Sequence, residues 1–233
     1  GEPLNTDVFT KWLEVTGMKI MEGFGQTETT LVVCNLKGSD PKPGSIGKPS
    51  PLYDVHLLDP DGKDCAPGVK GEICIGLKNG EQEGLLDCYY LDEMRTDAAI
   101  YNGFYHTGDT ATMDENGYYW YVGRNDDIIK SSGYRIGPFE IEDVLLEHPA
   151  VADCAVTGVP DEVRGQLVKA TIVLSKGYLP CEELENEIKE FVKHRTAPYK
   201  YPRLVSFVSA LPRTVNGKIR RVEIREKDLS AVV

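Results

Sequence analysis

GRNDDIIKSSGYRIGPFEIE, residues 123–142, marks the point where the chain changes character. Before it, from Pro41 to Tyr121, short apolar runs are punctuated by Pro and Gly: PKPGSIGKPSP, YDVHLLDPDG, GVKGEICIG and DENGYYWYVG. That pattern predicts a small, mainly antiparallel β unit, with Asp114 to Gly117 as a hairpin turn. After it, a helical pattern over Pro138–His148 is followed by strands at Val151–Val159 and Leu167–Leu174. An amphipathic helix over Cys181–Arg195 follows, with Leu184, Ile188, Phe191 and Val192 on one face, and then a strand at Leu204–Val208. The boundary is expected near Arg124–Asp127, dividing an α+β chain into residues 1–124 and 125–233, each of ordinary domain size. At the start, Asn5 or Thr6 caps an expected helix that Gly17 ends. Val8, Phe9, Trp12 and Leu13 share its apolar face.

Composition excludes several classes. Hydrophobic residues make up 41% and charged residues 27% of 233, an ordinary globular balance. No apolar run is long enough to span a bilayer, and no stretch reads as a signal peptide. Six scattered cysteines form no CxxC pair, which argues against structural zinc or a disulfide framework and for a reducing compartment. The net charge of −11 makes duplex nucleic acid a poor partner. The charge is uneven: 10 basic and 20 acidic residues through Asn125, then 16 and 17 beyond it, with 11 basic and three acidic residues between Lys189 and Lys227. Charge alone reads this stretch as a solvated helix face and tail.

Neither GxxxxGK[ST] nor GxGxxG occurs. Four short motifs stand in order instead: GFGQTE (23–28), YHTGD (105–109), residues 123–142, and PRTVNGKIRR (212–221). Singly each reads as a turn. Together they resemble the adenylate-forming superfamily of acyl-CoA synthetases, nonribosomal peptide adenylation domains and luciferases. SSGYRIGPFEIE, VRGQLVKA, TAPYKYPR and LPRTVNGK are most similar to the medium-chain acyl-CoA synthetases.

The resemblance implies a chain made of the C-terminal portion of a large AMP-binding domain, mostly β and barrel-like, followed by a small mobile α+β domain. It implies ATP, Mg²⁺ and coenzyme A as cofactors and a small carboxylic acid as substrate. A carboxylate attacks the α-phosphate to give acyl-AMP and pyrophosphate, and a thiol then displaces AMP. By the same resemblance Phe24 of the Gly25-Gln26 loop stacks on adenine, and Gly1, Glu2 and Pro3 lie along the purine. Asp109 accepts from the ribose hydroxyls, with Arg124 nearby. Thr27 contacts the α-phosphate and Glu28 helps hold Mg²⁺. Lys218 bridges carboxylate and phosphate, and Arg135 lies near the pyrophosphate. The basic stretch then lies where nucleotide phosphates dock. Asp126 matches the family's hinge, about which Ser132 and Gly133 swing in for thioester formation. Lys130 and Arg195 are further candidates for coenzyme A. The superfamily's phosphate loop and most of its acyl pocket have no counterpart here, so an N-terminal portion of the same enzyme is expected to supply them. The fragment alone is expected to be nearly inactive. A homo-oligomer is compatible with this reading, and a cytoplasmic or mitochondrial-matrix location is expected. The alternatives are an adenylation enzyme that loads a carrier-protein thiol and a non-catalytic nucleotide-binding module.

Overall fold

A computed structural model describes residues 4–78 and 80–230. The expected role of Gly1, Glu2 and Pro3 lies outside the described residues. The chain forms two compact units, with the division between Asn125 and Asp126.

In the first unit, α1 (Thr6–Thr16) is capped by the Asn5 side chain, which accepts the Asp7 N–H at 2.7 Å, and ends at Gly17 with φ 69°. Of its expected apolar face only Phe9 is buried; Val8 and Trp12 are 51% and 46% exposed. Helical periodicity identified the helix but not how much of its stripe this chain covers. Strands β1 (Gly23–Gly25), β2 (Leu31–Cys34) and β3 (Lys48–Pro49) form one antiparallel sheet. A second, five-stranded antiparallel sheet contains β4 (Asp54–Leu58) and β5 (Gly71–Gly76). Helix α2 (Glu93–Ala99) leads into its remaining strands, β6 (Ile100–Tyr101), β7 (Phe104–Met113) and β8 (Tyr119–Arg124). The hairpin between β7 and β8 turns at Asp114, whose carboxylate accepts the Asn116 and Tyr118 N–H groups and pairs with Lys42. Val32, Val33, Ile73, Ile75 and Tyr105 form the core.

The second unit starts with the hairpin β9 (Ile129–Ser131) and β10 (Tyr134–Ile136), then α3 (Pro138–Leu146). The long antiparallel pair β11 (Val151–Asp161) and β12 (Gly165–Leu174) follows. Next come α4 (Glu182–Arg195) and β13 (Leu204–Val208), which pairs parallel to β12. The last element is α5 (Arg221–Ser230). Leu184, Ile188 and Val192, one turn apart on α4, pack with Ile141, Leu145, Val156 and Ile172.

Glu142 sits inside this unit. Its carboxylate takes the Arg221 guanidinium at 2.7 and 2.8 Å and the Val156 N–H at 2.7 Å. Burial pushes its pKa up, opposed by the Arg221 charge. Removing one partner of a buried pair strands the other, so Glu142→Ala is expected to cost about 3 kcal/mol. Urea unfolding should show a lower midpoint at unchanged slope; an unchanged midpoint would contradict the role given to this pair.

Candidate active site

The first cluster is built where GFGQTE meets YHTGD. After β1 the chain turns so tightly that a Cβ on Gly25 would lie 2.2 Å from the Thr30 carbonyl oxygen, so glycine is required there. Along β7, Tyr105, Thr107 and Asp109 alternate inward and are buried. The Gln26 amide donates to the Asp109 carboxylate at 2.5 Å and to the Thr107 carbonyl at 2.8 Å. Its own oxygen accepts from the Tyr105 hydroxyl at 2.8 Å. Asp109, 4% exposed, also accepts from the Tyr121 hydroxyl at 2.8 Å and lies 3.5 Å from the half-exposed Arg124 guanidinium. The Phe24 ring is half-buried, 6.2 Å from that of Tyr121.

A second arm of the network reaches Glu28. Its carboxylate accepts from the Tyr89 hydroxyl at 2.9 Å. Near it stands Tyr105, whose phenol burial pushes far above its usual range. Thr27 is exposed beside them. Two motifs some eighty residues apart are therefore joined directly, through the Gln26 bonds to Tyr105, Thr107 and Asp109. Tyr89 and Tyr121, which hold Glu28 and Asp109, carry no signal in their local sequence.

Glu72 braces the turn before Asp109. One oxygen accepts the Gly108 N–H at 2.8 Å and the other lies 3.1 Å from His106 Nδ1, with the Cys74 sulfur 3.4 Å from the same nitrogen. These three side chains stand close enough to share a cation. Burial, and then the Glu72 charge, nevertheless hold the Cys74 thiol well above its usual pKa, and the three groups are turned on one another and on the turn they support.

In the second unit, Lys218 tips a hairpin closed by bonds between Thr214 and Lys218 and anchored by Arg213 to Asp153 at 2.6 Å. The basic stretch around it, which the resemblance implies lies where nucleotide phosphates dock, is mostly paired within its own unit. Lys189, Lys193, Arg195, Lys200, Arg213, Arg220, Arg221, Arg225 and Lys227 all pair with carboxylates of this unit. Among the described residues, Arg203 and the exposed Lys218 are the members of that stretch with no ion pair. Helical i,i+4 spacing and contacts distant in sequence absorb the rest.

Asp126 is exposed at the head of this unit, and Arg135 on β10 faces Lys130 across the hairpin. Between them Ser132 and Gly133 form the turn, both at positive φ (50° and 84°), which suits a two-residue hairpin loop. Ser132 accepts from Arg164 at 3.2 Å. Beside this turn lies a groove of about 380 Å³, bounded by Ser132, Tyr134, Arg164, Tyr199 and Arg203. The Tyr134 and Tyr199 rings stack at 3.9 Å. Tyr134, Arg164 and Arg203 stand inside quoted motifs, yet sequence reasoning gave them no role. Arg195 lies on Phe191 and pairs with Glu147, and Lys130 points to solvent; neither bounds the groove.

Similarity to known proteins identifies the family. Residues 1–90 match the model of the AMP-binding enzymes, and residues 140–218 that of the AMP-binding enzyme C-terminal domain. The chain is 50% identical over 230 residues to mouse mitochondrial acyl-coenzyme A synthetase ACSM3, spanning 98% of this chain and 40% of that protein. It is 52% identical over 229 residues to 4-hydroxybutyrate–CoA ligase 1 of Metallosphaera sedula, again with 98% and 40% spanned. The crystal structure of the anthranilate CoA ligase AuaEII with anthranoyl-AMP superposes with a TM-score of 0.90 at 35% identity, covering 100% of this chain and 44% of the other. This chain thus spans about 40% of the length of the curated relatives it matches. With both family models matched in order, and close relatives along nearly its whole length, the chain belongs to the AMP-binding, adenylate-forming enzymes.

Proposed function

We infer that the full-length protein is an AMP-forming acid–thiol ligase that joins a small or medium-chain carboxylic acid to coenzyme A through an acyl adenylate. The observation that carries this reading is the direct bond between Gln26 and Asp109 beside Phe24. It supports a rigid seat for a nucleoside, with an aromatic face for the purine and a buried, pre-oriented carboxylate for the ribose diol. Thr27 and Glu28 follow at the phosphate end. Tyr89 holds one Glu28 oxygen, and the other is offered to a Mg²⁺ shared with the nucleotide phosphates, the usual mode for this ion. The unpaired Lys218 ammonium is suited to the approach of a carboxylate to a phosphate, where negative charge gathers. Arg135 and Arg124 add positive charge toward pyrophosphate and ribose.

Asp126 serves as the hinge. The Ser132–Gly133 turn with its adjoining groove takes coenzyme A in the second step: two arginines suit its phosphates, and the stacked tyrosines offer an aromatic surface. Lys130 and Arg195 have a secondary part there. The phosphate loop and acyl pocket come from the length this chain does not share with its relatives. No described helix is long and apolar enough to cross a membrane. A mitochondrial location, that of ACSM3, suits the free thiols of all six cysteines.

In the full-length protein, Asp109→Ala is expected to remove about 2 kcal/mol of ribose hydrogen bonding, weakening ATP roughly thirtyfold. Titration calorimetry with ATP measures this; unchanged affinity would take Asp109 out of the nucleotide site.

A further inference from the structure

Helix α5 begins three residues after Lys218, and its inner face is ionic. Arg221, Ile224, Arg225 and Asp228 recur at helical spacing toward the unit. Ile224 is buried with Leu211 and Ala155. Arg221 grips Glu142 with both oxygens engaged, and Asp228 pairs with Lys169 on β12. The third anchor is Asp127, which takes Arg225 at 2.5 Å and Arg221 at 3.7 Å, its side chain 13% exposed. Asp127 directly follows Asp126.

Fixing a helix by apolar contacts alone allows it to slide or roll by fractions of an ångström. A planar guanidinium paired with a carboxylate sets both position and orientation. The shortest route from residue 126 to the Lys218 hairpin therefore runs through two side-chain pairs, Asp127 to Arg225 and Arg221, and then three residues of chain. The Ser132–Gly133 turn has no need of that route, because β9 joins it to residue 127 through the main chain.

We propose that Asp127 and Arg225, with Arg221, are positioning residues that lock the Lys218 hairpin to the segment following Asp126, so that the hinge and the lysine move as one body during adenylation. This rests on the reading of Lys218 and Asp126 given above. A merely structural role would weaken both half-reactions together. A positioning role weakens only the one that uses Lys218.

The test uses the full-length protein with Arg225→Met and, as an isosteric second variant, Asp127→Asn. Carboxylate-dependent pyrophosphate exchange reports adenylation, and consumption of supplied acyl-AMP with coenzyme A reports thioester formation. Small displacements of a catalytic group cost tenfold to a hundredfold, so adenylation kcat is expected to fall about tenfold in both variants. The KM for ATP and the thioester half-reaction should stay near wild type, and Arg225→Lys, which restores the charge without the planar fork, should regain only part of the loss. Equal loss in both half-reactions, or no loss in either, overturns the proposal while leaving the ligase reading intact. A wild-type protein without exchange activity overturns both.

Discussion

Lys218→Ala in the full-length protein is expected to slow acyl-adenylate formation about a thousandfold, the scale of losing a preorganised charge donor at a transition state. Conversion of supplied acyl-AMP to the thioester should be nearly unaffected. The asymmetry follows from the electrostatics of the two steps. In the first, a carboxylate meets a phosphate of like sign, and a point cation with three donors offsets the charge gathering on their oxygens. In the second, the acyl carbon is attacked by a thiol and that repulsion is absent. Among the 11 basic residues from Lys189 to Lys227, nine are occupied by carboxylates of their own unit. None of those can replace Lys218 without breaking a pair. Separate assays of the two half-reactions check this, and equal loss in both would refute the assigned role.

Asp126→Pro should give the opposite asymmetry. Proline locks φ near −65° and removes the N–H, at a cost of about 3 kcal/mol where another conformation is required, or roughly a hundredfold in rate. If residue 126 absorbs the backbone change between half-reactions, adenylation should survive while thioester formation from acyl-AMP falls by that factor. A variant with normal overall turnover would place the hinge elsewhere. The ties of its two neighbours argue for a localised pivot: Asn125 is tied to the Gly108 carbonyl and Thr110 on one side, and Asp127 to Arg221 and Arg225 on the other.

The sequence showed most elements where periodicity and punctuation agree. Asn5 and Gly17 bound α1, and the three buried positions of α4 fall at successive turns. It did not show α5, because that helix turns Arg221, Arg225 and Asp228 inward, and a charged inner face has no apolar period to detect. It also assigned Val8 and Trp12 of α1 to an apolar face that this chain leaves exposed. At the cluster around Asp109, motif resemblance supplied Phe24, Gln26, Glu28 and Asp109. The groups that orient them, Tyr89, Tyr121 and Glu72, come from separate strands and loops, and only three-dimensional pairing identifies them. The basic stretch shows the same limit: composition counts charges, but their carboxylate partners lie up to about a hundred residues away.

The most direct measurement is pyrophosphate exchange into ATP by the full-length protein across a panel of aliphatic and aromatic carboxylic acids. Exchange that depends on an added acid, with the acyl adenylate trapped by hydroxylamine, is the expected result. A folded, ATP-binding protein that supports no exchange with any acid of the panel would contradict the reading of this chain as part of an acid–thiol ligase.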